Sequence, residues 1–312
     1  MQKGSMKRLG KVFKLIGNAV HSFLNDEGFK LSASLSYYTV FALGPLLIII
    51  ISLAGIFFGR EAVQGRIYHE INGLVGSEAA IQIQDIISNI QRSHATTAGA
   101  IIGGIVLIIG ATGVFTEMQG SINFIWSVKA KPKKSWIKYL INRLISFSLV
   151  VGLGFLLLVS LIVNALLTLL SDRLIKFFPN YTVTLFHILN TVIILIVITG
   201  LFTVIFKVLP DAVISWTDAL IGSALTAALF LFGKFLIGIY IGKANLGITY
   251  GTAASVVIIL TWVYYSSVIL YFGAEFTKVY ALNSGEGIRP KQTAVFIIKQ
   301  EAKEIPQSRL NV

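Results

Sequence analysis

Cysteine is absent from this 312-residue chain, which excludes disulfides, thiolate-ligated zinc, iron–sulfur clusters and a thiol nucleophile. Histidine is scarce. His21, His69, His94 and His187 are scattered, with no HxxxH or HExxH spacing, so neither a histidine metal site nor any other cofactor is expected. Charge is scarce too, at 13% of residues against about 25% in soluble domains. With 55% hydrophobic residues and a mean hydropathy of +0.80, the composition predicts an all-α polytopic membrane protein rather than a soluble core. Residues 1–28 have no apolar signal core or small-residue cleavage pattern, so no cleavable signal is expected.

The stretch Ile248–Phe276 has 29 residues and no charge before Glu275. At ~1.5 Å per residue it crosses a ~30 Å hydrocarbon layer with room for tilt. Tyr250, Ala254, Val257, Thr261, Tyr264, Val268, Tyr271 and Glu275 recur at alternating steps of four and three. They form one seam that carries three tyrosines, a threonine and a carboxylate. A stripe of this kind reads as the inner wall of a helical bundle.

Five further spans are predicted, at about Leu31–Phe58, Thr97–Trp126, Ile141–Leu170, Tyr181–Phe206 and Trp216–Gly242, which makes a six-transmembrane-helix bundle over residues 29–282. Gly44-Pro45 interrupts the first span. Proline removes a backbone donor there, and the expected kink is either structural or a gate. In the second span Glu117, Gln119 and Asn123 accompany Gly110, Gly113 and Gly120, and polar groups this close are expected to point inward. Lys234 is an isolated cation in the fifth span, either a snorkelling lysine or a contact for lipid phosphate. In the outer loop, Ser77 caps an amphipathic helix too short to span.

Residues 1–28 place Leu9, Val12, Phe13, Ile16, Val20 and Phe23 at helical spacing between lysines and an arginine, the pattern of a basic helix lying along an anionic inner leaflet. Residues 283–312 turn polar and read as a partly disordered cytoplasmic tail. With both termini inside, 19 lysines and arginines fall on the inner side and 6 on the outer. That bias predicts an N-in, C-in multi-pass protein and accounts for the +12 net charge without nucleic acid. Expected partners are therefore membrane lipids. The small-residue faces fit packing within one chain or between two copies, which leaves a homo-oligomer open.

The runs ASLSYYTVFALGPLL at 33–47, SINFIW at 121–126, VLP at 208–210 and YGTAASVVIILTWVYYSSVILYFGAEF at 250–276 resemble the YihY/virulence factor BrkB family of bacterial inner-membrane proteins. The resemblance covers about residues 20–280. It implies six spans, and its members carry labels of envelope integrity, resistance to serum killing, lipid or lipopolysaccharide-precursor export, and ribonuclease BN. Tyr37, Pro45, Asn123, Trp126, Pro210, Tyr250, Gly251 and Glu275 match its marks, with no role attached. The favoured reading is a non-enzymatic protein that handles or translocates a lipid or other amphiphile. Glu117, Gln119, Asn123, Tyr250, Tyr264, Tyr271, Glu275 and Lys234 would line its pathway. The alternative is an envelope scaffold that recruits partners. A ribonuclease is disfavoured because the inner loops hold no cluster of metal-binding carboxylates or histidine pair.

Overall fold

A computed structural model of the chain describes residues 2–42, 80–82, 84, 113–131, 179–244, 249–250 and 253–299. Helix α1 (Gln2–Asn25) is followed by α2 over 28–42. After α3, over 113–125, come β1 (Val128–Ala130), α4 (Pro179–Val208), β2 (Ala212–Val213) and α5 (Trp216–Lys243). Then follow α6 (Ala254–Ser284), β3 (Arg289–Pro290) and β4 (Ala294–Phe296). Residues 80–82 and 84 are helical as well. The Gly44-Pro45 kink, the span at 141–170 and most of the first span, the second span and the outer-loop helix lie outside the described residues.

Among the described residues three helices are long and apolar enough to cross a membrane: Thr191–Val208 in α4, Trp216–Ile241 in α5 and Ala254–Asn283 in α6. Helix α5 begins with a clear stop signal for what precedes it. Ser215 accepts from the Asp218 N–H at 3.0 Å, and Asp218 adds an acidic group to the first turn, where unpaired N–H groups leave partial positive charge.

Helices α5 and α6 run antiparallel and meet through missing side chains. A Cβ on Gly222 would overlap Thr277, one on Gly273 would overlap Thr226, and one on Gly233 would overlap the Tyr265 hydroxyl. Each threonine donates to the carbonyl four residues earlier, Thr226 to Gly222 and Thr277 to Gly273, both at 2.7 Å. Their hydroxyls are thus satisfied inside their own helices, and close backbone approach costs no polar group.

The other layer gathers at one end of the bundle. Helix α1 lays Leu15, Ala19 and Phe23 against the end of α6 around Phe276 and Val279. Strand β1, just after α3, pairs antiparallel with β4, Lys129 opposite Val295. Strand β2, in the turn between α4 and α5, pairs antiparallel with β3, Val213 opposite Arg289. The polar stretch after residue 283, read above as a partly disordered tail, is therefore built into the fold through Lys299. Its backbone groups find partners in two short ladders, extended by Lys131 N–H to Thr293 O and Ile297 N–H to Ser127 O. Under these strands lies a core of Ile122, Ile125, Trp126, Phe206, Leu209 and Ile214.

Candidate functional site

Two left-handed turns shape this end. Glu27, at φ 53°, closes the link between α1 and α2, and Ser127, at φ 56°, ends α3. The first presents Asp26. The second leaves the Ile125 carbonyl, one of the last four of its helix, without a partner in the helix. Two lysines fill that vacancy. Lys278 of α6 donates to Ile125 O at 2.8 Å, and Lys299, from the segment after β4, donates to the same oxygen at 3.3 Å. Cations are also the charges that a helix C-terminus favours. Both lysines reach Asp26 as well, Lys278 at 3.3 Å and Lys299 in close contact, and Lys299 lies 4.4 Å over the Phe124 ring.

Glu275 completes the lattice. It is fully buried, its carboxyl adjoins that of Asp26, and Lys278 Nζ sits 2.8 Å away. The lysine is too poorly aligned for a directed hydrogen bond to either oxygen. Two carboxyls and two ammoniums thus hold together the α1–α2 turn, α3, α6 and the C-terminal segment. Burial raises the Asp26 pKa, but the adjoining Glu275 carboxyl, the hydrogen bond from Lys299 and the charge of Lys278 outweigh it, holding Asp26 below the usual carboxylate value. Burial holds Lys299 below the usual lysine value, against the opposing pull of Asp26.

A second cluster docks the α4–α5 turn onto α3. The Asn123 side chain donates to Asp211 Oδ2 at 2.9 Å and accepts from the Asp211 N–H at 2.8 Å, while Gln119 donates to the same carboxylate at 3.3 Å. The adjoining Pro210 is fully buried. Trp126 donates its indole N–H to Ala274 O at 3.0 Å, fixing α3 against α6. On the other side, Asp218 accepts from the Glu286 N–H at 3.0 Å, beside Gly285.

Of the pathway residues, the structure brings Gln119 and Asn123 together on Asp211 and Glu117 toward Tyr271. Tyr271 is fully buried and its hydroxyl approaches Ser121 and Glu117 across the α3–α6 contact without a well-directed hydrogen bond. Glu117 itself is half-buried. Glu275 stands apart in the ion lattice, where Lys278, three residues on, is its partner. Tyr264 is half-buried, Tyr250 exposed, and Lys234 half-buried about 27 Å along α5 from Trp216. The seam of α6 is therefore enclosed at Tyr271 and Glu275 and opens toward Tyr250. Among the described residues no three acidic or histidine side chains are grouped to hold a metal ion.

Sequence reasoning missed Asp26, Asp211 and Lys299. Asp26 and Lys299 lie 273 residues apart, and no periodicity links them. Asp211 carried a weak signal, an acid directly after the VLP turn.

The model of the family described as Virulence factor BrkB matches residues 19–297. Among curated relatives, a UPF0761 membrane protein of Azotobacter vinelandii is 30% identical over 262 residues, covering 81% of this chain and 60% of its own length. One from Rhodospirillum centenum is 27% identical over 284 residues (88% and 60%), and one from Pseudomonas aeruginosa 26% identical over 261 (81% and 59%). The chain thus spans about 60% of the length of these relatives. Their names denote membrane proteins and no enzymatic activity. No solved structure matches.

Proposed function

The chain belongs to the virulence factor BrkB family, and from that premise we propose that this membrane protein handles or translocates a lipid or other amphiphile. In this reading it is a six-span bacterial inner-membrane protein with both termini inside, and the ion lattice lies at the cytoplasmic end.

The observation that carries the reading is the Tyr271 hydroxyl, fully buried and without a well-directed hydrogen bond, with Ser121 and Glu117 of α3 within electrostatic reach. A buried tyrosine hydroxyl with no well-directed partner, within electrostatic reach of a half-buried carboxylate, is costly in a hydrocarbon layer. Such a pair is accounted for when a polar head group or water file passes it. Gln119, Asn123 and Glu275 serve this function indirectly, by holding the closed end in place.

The test is full-length protein in liposomes that contain a head-group-labelled lipid and an outer-leaflet quencher. Wild type is expected to abolish the protected fraction, and Glu117→Gln and Tyr271→Phe to restore most of it. Loss of movement in Glu275→Gln at unchanged melting temperature would return Glu275 to the route. Absence of movement in wild type, with anionic and neutral lipids alike, overturns the reading in favour of the partner-recruiting scaffold.

A further inference from the structure

The ends of α4 and α5 carry a second feature, separate from the pathway. Lys207 lies one residue before the end of the span Thr191–Val208, and Trp216 begins the next. Both therefore sit at the level where hydrocarbon gives way to lipid head groups, the usual depth of interfacial tryptophan and lysine. Around them Val208, Val213 and Trp216 are exposed, Trp216 at 61%.

The cations here are held in place. Lys207 donates to Ile214 O and lies 5.3 Å over the Trp216 ring. Lys291, from the segment between β3 and β4, donates to Val208 O at 3.3 Å and lies within electrostatic reach of Lys207. An ammonium has three donors, so each lysine keeps donors beyond its carbonyl. Arg289, exposed, stands opposite Val213 in the β2–β3 ladder. The carboxylate facing this group is Asp211, which accepts from Asn123 and Gln119. Burial, more than the proximity of Lys207, keeps Lys291 below the usual lysine value, with Asp211 pulling the other way. The result is a local excess of positive charge, anchored by main-chain carbonyls and bordered by an exposed apolar rim.

We propose that Lys207 and Lys291, with Trp216 as the apolar edge, form a binding site for the phosphate of an anionic phospholipid at the mouth of the α4–α5 turn. The phosphate would lie between the two ammoniums and the acyl chains would run along Val208 and the exposed side of α4. The site requires this end to face an anionic leaflet, but it does not depend on translocation, so its test reads equilibrium binding alone.

The experiment is native mass spectrometry and thermal melting of the full chain in neutral detergent, titrated with phosphatidylglycerol, phosphatidylcholine or inorganic phosphate. Wild type is expected to bind phosphatidylglycerol in preference to phosphatidylcholine and to melt higher with it. Each of Lys207→Gln and Lys291→Gln should weaken that binding about fivefold at low salt, the contribution of one surface cation. Lys129→Gln with Lys131→Gln removes two charges from the same end but not from the span boundary, and should change it less than about twofold. If Lys207→Gln fails to fold through loss of its tie to Ile214, Lys291→Gln carries the test. Weakening by the Lys129→Gln, Lys131→Gln control equal to that of the Lys207→Gln or Lys291→Gln variant, no preference over phosphatidylcholine, or equal binding of inorganic phosphate would each overturn the proposal.

Discussion

Helix α6 is held in two ways along its length. Toward α5 its contacts are shaped by what is missing: Gly273 admits Thr226, and Gly222 and Gly233 admit Thr277 and Tyr265. Each of the two threonine hydroxyls is satisfied within its own helix. At its C-terminal end, α6 meets α1, α3 and the C-terminal segment through Glu275, Lys278, Asp26 and Lys299. The first contact is specified by shape over long apolar helices. The second adds charge to apolar packing, the ion lattice sitting beside Leu15, Ala19 and Phe23 of α1 against Phe276 and Val279 of α6.

This contrast predicts different sensitivities. The largest effect is expected from Lys278→Met, which strips the central cation from two adjoining carboxyls and the Ile125 carbonyl. Breaking a buried ion pair on one side costs about 3–5 kcal/mol, so the melting temperature in detergent should fall sharply. A melt within a degree of wild type would reduce the lattice to a surface feature. Next comes Gly273→Val, which forces atoms into Thr226 at a packed helix contact. Overpacking of this kind costs about 1–3 kcal/mol, and the loss should be the same at low and high salt. If salt changes it, the seam is not the apolar contact described.

A smaller effect separates the two regions by pH. Asp26 has a depressed folded-state value, so its stabilisation is present above its ordinary value of 3.8 and is lost as pH falls through the lower folded value. Wild type should lose stability in that acid window while Asp26→Asn shows a flatter profile there. Parallel profiles would remove Asp26 from the lattice energetics. The smallest effect is expected from Lys30→Gln, whose partner Glu27 is, like Lys30, mostly exposed. Its change should stay within about 0.5 kcal/mol, as for solvated pairs, and a larger loss would mean that the α1–α2 turn is tied down more firmly than its exposure implies.

Much of the seam was legible in advance. The four-and-three spacing identified the stretch from Ala254 to Glu275 as one helix, because helical periodicity is a property of neighbouring residues, while Tyr250 lies before its start. The stripe's degree of enclosure was not legible. Tyr271 and Glu275 are buried where α1, α3 and the C-terminal strands cover α6, and Tyr250, before its start, is exposed. The basic helix α1 was likewise legible as amphipathic, yet its buried face is Leu15, Ala19 and Phe23, while Phe13 and Val20 from the predicted stripe remain exposed. A long amphipathic helix with Leu9, Leu15, Ala19 and Leu24 on several sides offers more than one face, and the neighbour chooses among them. The family resemblance read from the YG and GAE ending agrees with the match over residues 19–297.

What the sequence by itself determined is the solvent: long uncharged runs require a membrane, and the lack of cysteine and of grouped histidines removes whole classes of chemistry. Only the tertiary structure decided the partners of the charges. Asp26, Glu275, Lys278 and Lys299 meet because two left-handed turns and two short strand ladders bring four distant segments to one helix end. A charge pairs with whatever lies within a few ångströms in space, and distance along the chain carries no record of that.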